Sequence, residues 1–98
     1  MSDPLIVFAR IKAKDGKADA LGAALRSIVT PSRAEPGCLS YVLHRAIEAP
    51  NIWIVYETWE SPAALNHHFE QPYMVALLNQ VPNLVEGNVE LTMAAIVE

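Results

Sequence analysis

Cysteine is nearly absent from this chain, and charged residues are scarce. Cys38 is the single cysteine, which excludes an intrachain disulfide and favours a reducing compartment. Charged residues make up 18% of the chain, against about 25% in an average globular domain. The net charge is −4 and no basic cluster is present, which argues against a nucleic-acid partner or an anionic membrane surface.

Long hydrophobic runs and targeting signals are lacking as well. The longest uncharged run, residues 71–85, contains two prolines and several amides, so it does not predict a membrane span. The N-terminus carries Asp3 early and lacks the basic and then apolar layout of a signal peptide. We therefore expect a cytoplasmic protein that contacts no membrane.

Apolar residues, by contrast, are abundant: they make up 52% of the 98 residues. We expect a single domain spanning residues 1–98, since typical domains contain about 100–150 residues. An apolar surplus on so small a domain indicates that a partner subunit buries part of it.

The hydrophobic periodicity predicts four strands and two helical regions. The predicted strands occupy residues 5–14, 38–46, 52–59 and 89–97, with a hairpin turn at residues 48–51. The first helix should begin at Lys17 with a cap at Asp15, and Pro31 or the turn at residues 35–37 should end it. The second should begin at Ser61, run to about residue 69, and continue as a helical piece from residue 73 to about residue 80.

The resulting order, βαββαβ, predicts an α+β, ferredoxin-like fold with a four-stranded antiparallel sheet. Two right-handed crossovers place both helical regions on one face of that sheet. The other face is left uncovered, although the strands carry apolar residues on both sides. Two copies that pair sheet to sheet would cover it, so we expect a homodimer.

Residues 56–74 concentrate the groups that could carry chemistry, including two adjacent histidines. Neighbouring helical residues point about 100° apart, so the imidazoles of His67 and His68 are not expected to share one task. The spacing from Ala64 and Leu65 places His68 on the inward side of the helix, and the other imidazole should face water. An inward neutral imidazole is either a proton acceptor near neutral pH or a structural histidine.

The third strand carries aromatic side chains on both faces. Trp53 and Trp59 share one face with Glu57, and Tyr56 lies on the other. A carboxylate on so apolar a strand requires a partner, and we expect Glu57 to pair with an arginine of a neighbouring strand, Arg45 or Arg10.

The segment Tyr-Glu-Thr-Trp-Glu-Ser-Pro-Ala-Ala-Leu-Asn-His-His-Phe-Glu-Gln-Pro-Tyr-Met at residues 56–74 resembles the antibiotic biosynthesis monooxygenase (ABM) family, which includes quinol monooxygenases. Glu-Pro-Gly-Cys-Leu-Ser-Tyr at residues 35–41 and the His-Arg pair at 44–45 add to the resemblance, which covers nearly the whole chain. The resemblance implies a dimeric α+β barrel. It also implies cofactor-independent oxidation of a hydroxy-aromatic substrate, such as a hydroquinone or anthrone, by dioxygen.

The resemblance also assigns candidate roles to particular residues. His68 falls on the histidine of the family's helix motif and would be the catalytic base. Tyr73 stands where relatives often carry a second histidine, and it would bind a substrate oxygen together with Asn66. Trp59 and Tyr56 would form a wall for a flat ring, although large aromatics are equally typical of a core or a dimer interface.

No cofactor or metal is expected, and two other functions stay open. The sequence contains no nicotinamide, flavin or phosphate-loop motif and no ligand pair with zinc spacing. Haem-degrading relatives use a histidine further along the helix, and residues 74–80 contain none. The alternatives are an isomerase of a small oxygenated metabolite and a non-catalytic dimer that binds an aromatic ligand. Oxygen uptake would distinguish the monooxygenase from both.

Overall fold

The computed structural model describes residues 3–98 as one antiparallel sheet with helices on one face. The strands are β1 (Leu5–Lys12), β2 (Cys38–Arg45), β3 (Ile52–Trp59) and β4 (Glu90–Ala95). The helices are α1 (Ala18–Ser27), α2 (Val29–Arg33), α3 (Pro62–Phe69) and α4 (Pro72–Leu84). The strand order β2-β3-β1-β4, antiparallel throughout, confirms the predicted ferredoxin-like α+β fold. No helix within residues 3–98 is long and apolar enough to cross a membrane.

The first helical region differs from the prediction at its N-terminal cap and contains a break, but it ends at Arg33, just before the predicted turn at residues 35–37. Its first helix has Lys17 at the N-cap, without a side-chain capping bond, so the cap predicted at Asp15 is wrong. The region then breaks at Ile28 and continues as α2, which contains Pro31. Proline fits there because it lies in the first turn of α2, where a backbone N–H has no partner within the helix.

Helix α4 extends beyond the predicted end before Pro82. The carbonyl groups of its last turn find donors outside the helix: the Lys14 ammonium donates to the Pro82 oxygen at 2.6 Å, and the Lys14 backbone N–H donates to the Leu84 oxygen at 2.9 Å. These bonds satisfy groups that a helix end otherwise leaves exposed. The sequence alone gave no sign of a partner 68 residues away.

The two faces of the sheet have different surroundings. The helix-covered face carries the core, which includes Val7, Trp53 and Trp59, each at most 3% exposed. On the open face, Phe8 pairs with Tyr56, and the two rings stack with centroids 5.1 Å apart. Both rings are near 40% exposed, at 43% and 38%. Any site beneath the helices is therefore separated from the open face by the sheet itself.

Candidate functional site

Helix α3 fixes the orientation of the two histidines. Ser61 caps its N-terminus by accepting a hydrogen bond from the Ala64 backbone N–H at 3.1 Å, and Pro62 occupies the first turn. In this register His68 points beneath the helix with 1% of its side chain exposed, whereas the His67 side chain is 61% exposed. The orientations agree with those expected from helical spacing.

A carboxylate that the sequence did not single out joins this site. Glu35 Oε2 lies 2.6 Å from His68 Nδ1, and the Tyr73 hydroxyl donates a hydrogen bond to the same oxygen. Glu35 reaches this position from the turn after α2, where its N–H donates to the Ser32 oxygen and its carbonyl accepts from the Cys38 N–H. A carboxylate in an otherwise apolar turn is the only sequence signal for this contact, and such a residue is also typical of an ordinary turn.

The exposed histidine also approaches Glu35, a contact that helical spacing alone did not indicate. His67 Nδ1 lies 3.6 Å from Glu35 Oε1, whereas His68 Nδ1 lies 2.6 Å from the other oxygen, Oε2. The angle between neighbouring helical residues describes the helix alone and contains no information about Glu35, which comes from the turn after α2. The exposed histidine and the buried one therefore contact the same carboxylate.

The surroundings of His68 favour its neutral form. Burial lowers the pKa of His68, and the hydrogen bond and negative charge of Glu35 oppose this effect only in part. Because an ionised carboxylate can only accept, Nδ1 carries the proton and Nε2 keeps a free lone pair. Burial and the neighbouring Glu35 raise the pKa of Tyr73 to about 12, so that phenol acts as a donor and not as a base.

Aromatic rings surround the buried imidazole. The ring centroid of His68 lies 4.6 Å from that of Trp59, 5.5 Å from that of Phe69 and 5.8 Å from that of Tyr41. These contacts exclude water from the imidazole on several sides. A charge that develops here interacts more strongly with its neighbours than it would in water.

Glu57 does not form the predicted arginine pair. Its Oε1 accepts a hydrogen bond from Trp59 Nε1 at 2.9 Å. Arg10 points to the open face and pairs with Glu90 at 2.9 Å, and Arg45 lies towards the other end of β3, 3.5 Å from Asp19. The prediction was wrong because Arg10 lies on the other face of the sheet, and Arg45 lies four residues along β2 from Tyr41, the residue opposite Glu57.

A cavity of about 60 Å³ lies between the sheet and helices α1 and α4. Its polar wall consists of the Tyr41 and Glu57 side chains, and half-exposed Leu78 and Leu91 form its rim. The remaining lining is apolar: Ala9, Ile11, Leu21, Leu25, Ile28, Val55, Phe69, Leu77, Val81, Val85 and Val89. The rings of Tyr41 and Phe69 border both this cavity and His68, so the cavity adjoins the buried cluster.

Two buried oxygens near the histidine have no hydrogen-bond partner within residues 3–98. They are Ser32 Oγ and Glu35 Oε1. Buried polar atoms are normally satisfied by protein, water or ligand. No three His, Cys, Asp or Glu side chains converge as a metal site in that part of the chain.

The structure brings together some of the predicted site residues and separates others. Trp59 and Tyr73 lie beside His68, with ring centroids 4.6 and 6.2 Å from it. Asn66 is exposed on the outer side of α3. Tyr56 lies on the open face, so within one protomer it cannot form a wall together with Trp59.

Known proteins share both the sequence pattern and the fold. A family model described as antibiotic biosynthesis monooxygenase matches residues 4–80. Rv0793 of Mycobacterium tuberculosis, provisionally named a monooxygenase, is 33% identical over 95 residues, which cover 97% of this chain and 93% of that protein. Its solved structure matches with a TM-score of 0.91 and 32% identity, over 97% of this chain and 96% of that chain.

Two further relatives extend the comparison. The crystal structure of PA3566 from Pseudomonas aeruginosa matches with a TM-score of 0.95 and 35% identity, covering 100% of this chain and 98% of that chain. The protein sll1783 of Synechocystis is 33% identical over 96 residues, or 98% of this chain. The chain spans only 65% of that cyanobacterial protein's length.

Proposed function

Because the chain belongs to the antibiotic biosynthesis monooxygenase family, we propose that it oxidises an electron-rich hydroxy-aromatic compound with dioxygen and without a cofactor. Hydroquinones and anthrones are the substrate types. The observation that carries the proposal is the buried His68, held by Glu35 at 2.6 Å with its other ring nitrogen free. This arrangement resembles the acid–histidine pairs that orient a general base in enzymes.

The chemistry requires no external electron source. An anthrone CH₂ group becomes a carbonyl, one atom of dioxygen enters the product, and the other leaves as water. The four electrons that reduce dioxygen all come from the substrate. The protein needs only to take the first proton, stabilise the resulting anion and exclude water.

His68 Nε2 would take that proton, and the charge of Glu35 would stabilise the imidazolium that forms. The Tyr73 hydroxyl holds the same carboxylate and thereby helps to fix the orientation of the imidazole. Its role is positioning, because its raised pKa keeps it protonated at neutral pH.

The cavity beside the cluster is the proposed substrate site. At about 60 Å³ it is smaller than the dry cavity of about 150 Å³ known to admit benzene. A fused aromatic ring would therefore extend past the rim at Leu78 and Leu91. These two apolar side chains are 45% and 44% exposed, which suits contact with a flat ring.

The test is a dioxygen-electrode screen of hydroquinones and anthrones, followed by two alanine variants. His68→Ala should lower turnover by about 10²-fold or more, the usual range for loss of a general base. His67→Ala, on the same helix and next to the same carboxylate, is the matched control and should change turnover less than about twofold, because its ring is mostly solvated.

The outcomes separate the three functions. Oxygen uptake that depends on His68 supports the monooxygenase. Product formation without oxygen uptake would replace it with the isomerase, and saturable binding without turnover would replace it with the ligand-binding dimer. A folded His68→Ala variant with normal turnover would remove the base from the mechanism.

We also propose that the open sheet face pairs with a second copy of the chain. A cleft on this face is lined by Phe8, His44, Ile54 and Tyr56, and such exposed apolar area is typical of an interface. Light scattering at micromolar concentration should give twice the chain mass of 10.8 kDa. Tyr56→Arg should shift the protein towards monomer, and a wild-type monomer would contradict the pairing.

A further inference from the structure

Glu57 is a carboxyl group set into the wall of the apolar cavity. It is 5% exposed, and the indole N–H of Trp59 donates to its Oε1 at 2.9 Å. Within residues 3–98, Oε2 has no hydrogen-bond donor, and no cationic side chain pairs with the carboxyl group. The proton transfer proposed above uses His68, Glu35 and Tyr73 and does not involve Glu57.

The groups that face Glu57 give a negative charge little support. Helices α1 and α4 present only apolar side chains to the cavity, and β2 contributes the Tyr41 phenol. Beyond the effect of burial, the negative charge of Glu35 raises the pKa of Glu57, and the charge of Glu57 in turn raises the pKa of the Cys38 thiol. Burial lowers the pKa of His68, which favours its neutral form, so it supplies no positive charge to this region. Only the Trp59 indole favours the carboxylate form.

The pKa of Glu57 agrees with this geometry. Burial raises the pKa of Glu57 to about 7, the Trp59 hydrogen bond opposes the shift, and the charge of Glu35 adds to it. A carboxylic acid kept neutral by an apolar site can donate a hydrogen bond to a developing oxyanion. Glu35 then accepts a hydrogen bond from His68, whereas Glu57 in its neutral form can donate one to a ligand.

We propose that Glu57, in its neutral acid form, donates a hydrogen bond from its carboxyl group to an oxygen of the bound substrate. The ligand class is an aromatic ketone or phenol whose oxygen becomes an anion when a C–H or O–H bond breaks. The proton goes to His68 Nε2, and the electron pair spreads to the oxygen that Glu57 binds. This inference rests on the proposed function for its place in a reaction, but binding tests it without turnover.

The first experiment follows the indole ¹H–¹⁵N signals by NMR as pH is changed. Trp59 should report the ionisation of Glu57 with a midpoint near pH 7, and Glu57→Gln should abolish that titration. Trp53, whose indole donates to the Ala18 carbonyl at 3.1 Å, is the internal control and also reports folding of the variant. A Trp59 midpoint below about pH 6 would overturn the proposal, since the group would be charged at neutral pH.

The second experiment measures the binding of acetophenone, whose oxygen can only accept a hydrogen bond. Its affinity should fall about tenfold from about pH 5.5 to about pH 8.5, as Glu57 changes from donor to carboxylate. Ethylbenzene, which lacks the oxygen, should bind equally at both pH values. Glu57→Gln keeps a donor that does not titrate, so it should bind acetophenone with the same affinity at both.

The result is independent of whether the protein consumes oxygen. A pH-dependent preference for the ketone that disappears in Glu57→Gln supports the donor even if no oxidation substrate is found. Equal pH dependence for the ketone and the hydrocarbon, or an unchanged pH dependence in the variant, would overturn the donor role. Neither outcome alters the dioxygen test of the proposed function.

Discussion

Trp53 and Trp59 lie on the same face of the same strand, and both are almost fully buried, yet their surroundings differ. The Trp53 indole donates to a backbone carbonyl, and the guanidinium groups of Arg45 and Arg26 lie 4.8 and 5.8 Å from its ring. The Trp59 indole donates to the carboxyl group of Glu57, and its ring lies 4.6 Å from that of the buried His68.

The difference distinguishes an end of β3 that packs an apolar core from the end where we place the proposed reaction. At the Trp53 end, the nearby charged groups remain at the surface and the core is apolar. At the Trp59 end, two carboxyl groups and an imidazole are at most 9% exposed. Burying such groups costs free energy unless they are paired. Because packing alone does not require that cost, the buried groups at the Trp59 end support the proposed function there.

The largest expected effect comes from neutralising Glu35, which lies near the Trp59 end of β3. In Glu35→Gln the amide can donate to His68 Nδ1, which would move the imidazole proton to Nε2 and remove the base. Turnover of a confirmed substrate should fall on the order of 10²- to 10⁴-fold, as in other acid–histidine pairs. Stopped-flow or oxygen-electrode kinetics would measure it, with circular dichroism to verify folding.

The matched control is Asp19→Asn. Asp19 lies on α1, near the Trp53 end of β3. Asp19 pairs with Arg45 at 3.5 Å, but its side chain is 96% exposed, so neither stability nor turnover should change measurably. If both variants lost activity equally, general electrostatics and not the buried pair would be the cause.

A smaller effect, on stability and not on turnover, is expected near the Trp53 end of β3 from Gly22→Ala. A Cβ atom at this position would lie 2.4 Å from the six-membered ring of Trp53, which is closer than van der Waals contact allows. Overpacking of this kind costs about 1 to 3 kcal/mol. Part of that cost is offset by the better helix propensity of alanine, about 1 kcal/mol. Chemical denaturation should show a net loss of stability with turnover per folded molecule unchanged.

A double-mutant cycle with Trp53→Phe tests the cause. Phenylalanine lacks the ring atoms that collide, so Gly22→Ala should be better tolerated in that background. Equal costs in both backgrounds would mean that the indole is not the group in contact.

Local sequence patterns were enough to predict the strand and the helix start near both tryptophans. They were not enough to predict the side-chain contacts that distinguish the two ends of β3. The limits of β3 and the Ser61 cap follow from alternation and capping chemistry within a few residues. The contact between Glu35 and His68 spans 33 residues and depends on the break at Ile28, which no local pattern indicated. Strand alternation likewise predicted a shared face for the two tryptophans, but it contains no information about which acceptor each indole finds.

A modest effect on turnover is expected for Tyr73→Phe, which removes one donor from Glu35 while keeping the ring. Loss of one hydrogen bond corresponds to about 1 kcal/mol, or roughly a fivefold decrease in turnover. The decrease should be smaller than in Glu35→Gln, because His68 still holds the carboxylate, and larger than in His67→Ala. Since the phenol positions Glu35 and carries no proton of the reaction, the decrease should be the same across the neutral pH range. A Tyr73→Phe profile that changes shape with pH would instead make the phenol a proton-transfer group, and the two ends of β3 would then differ by one more titrating residue.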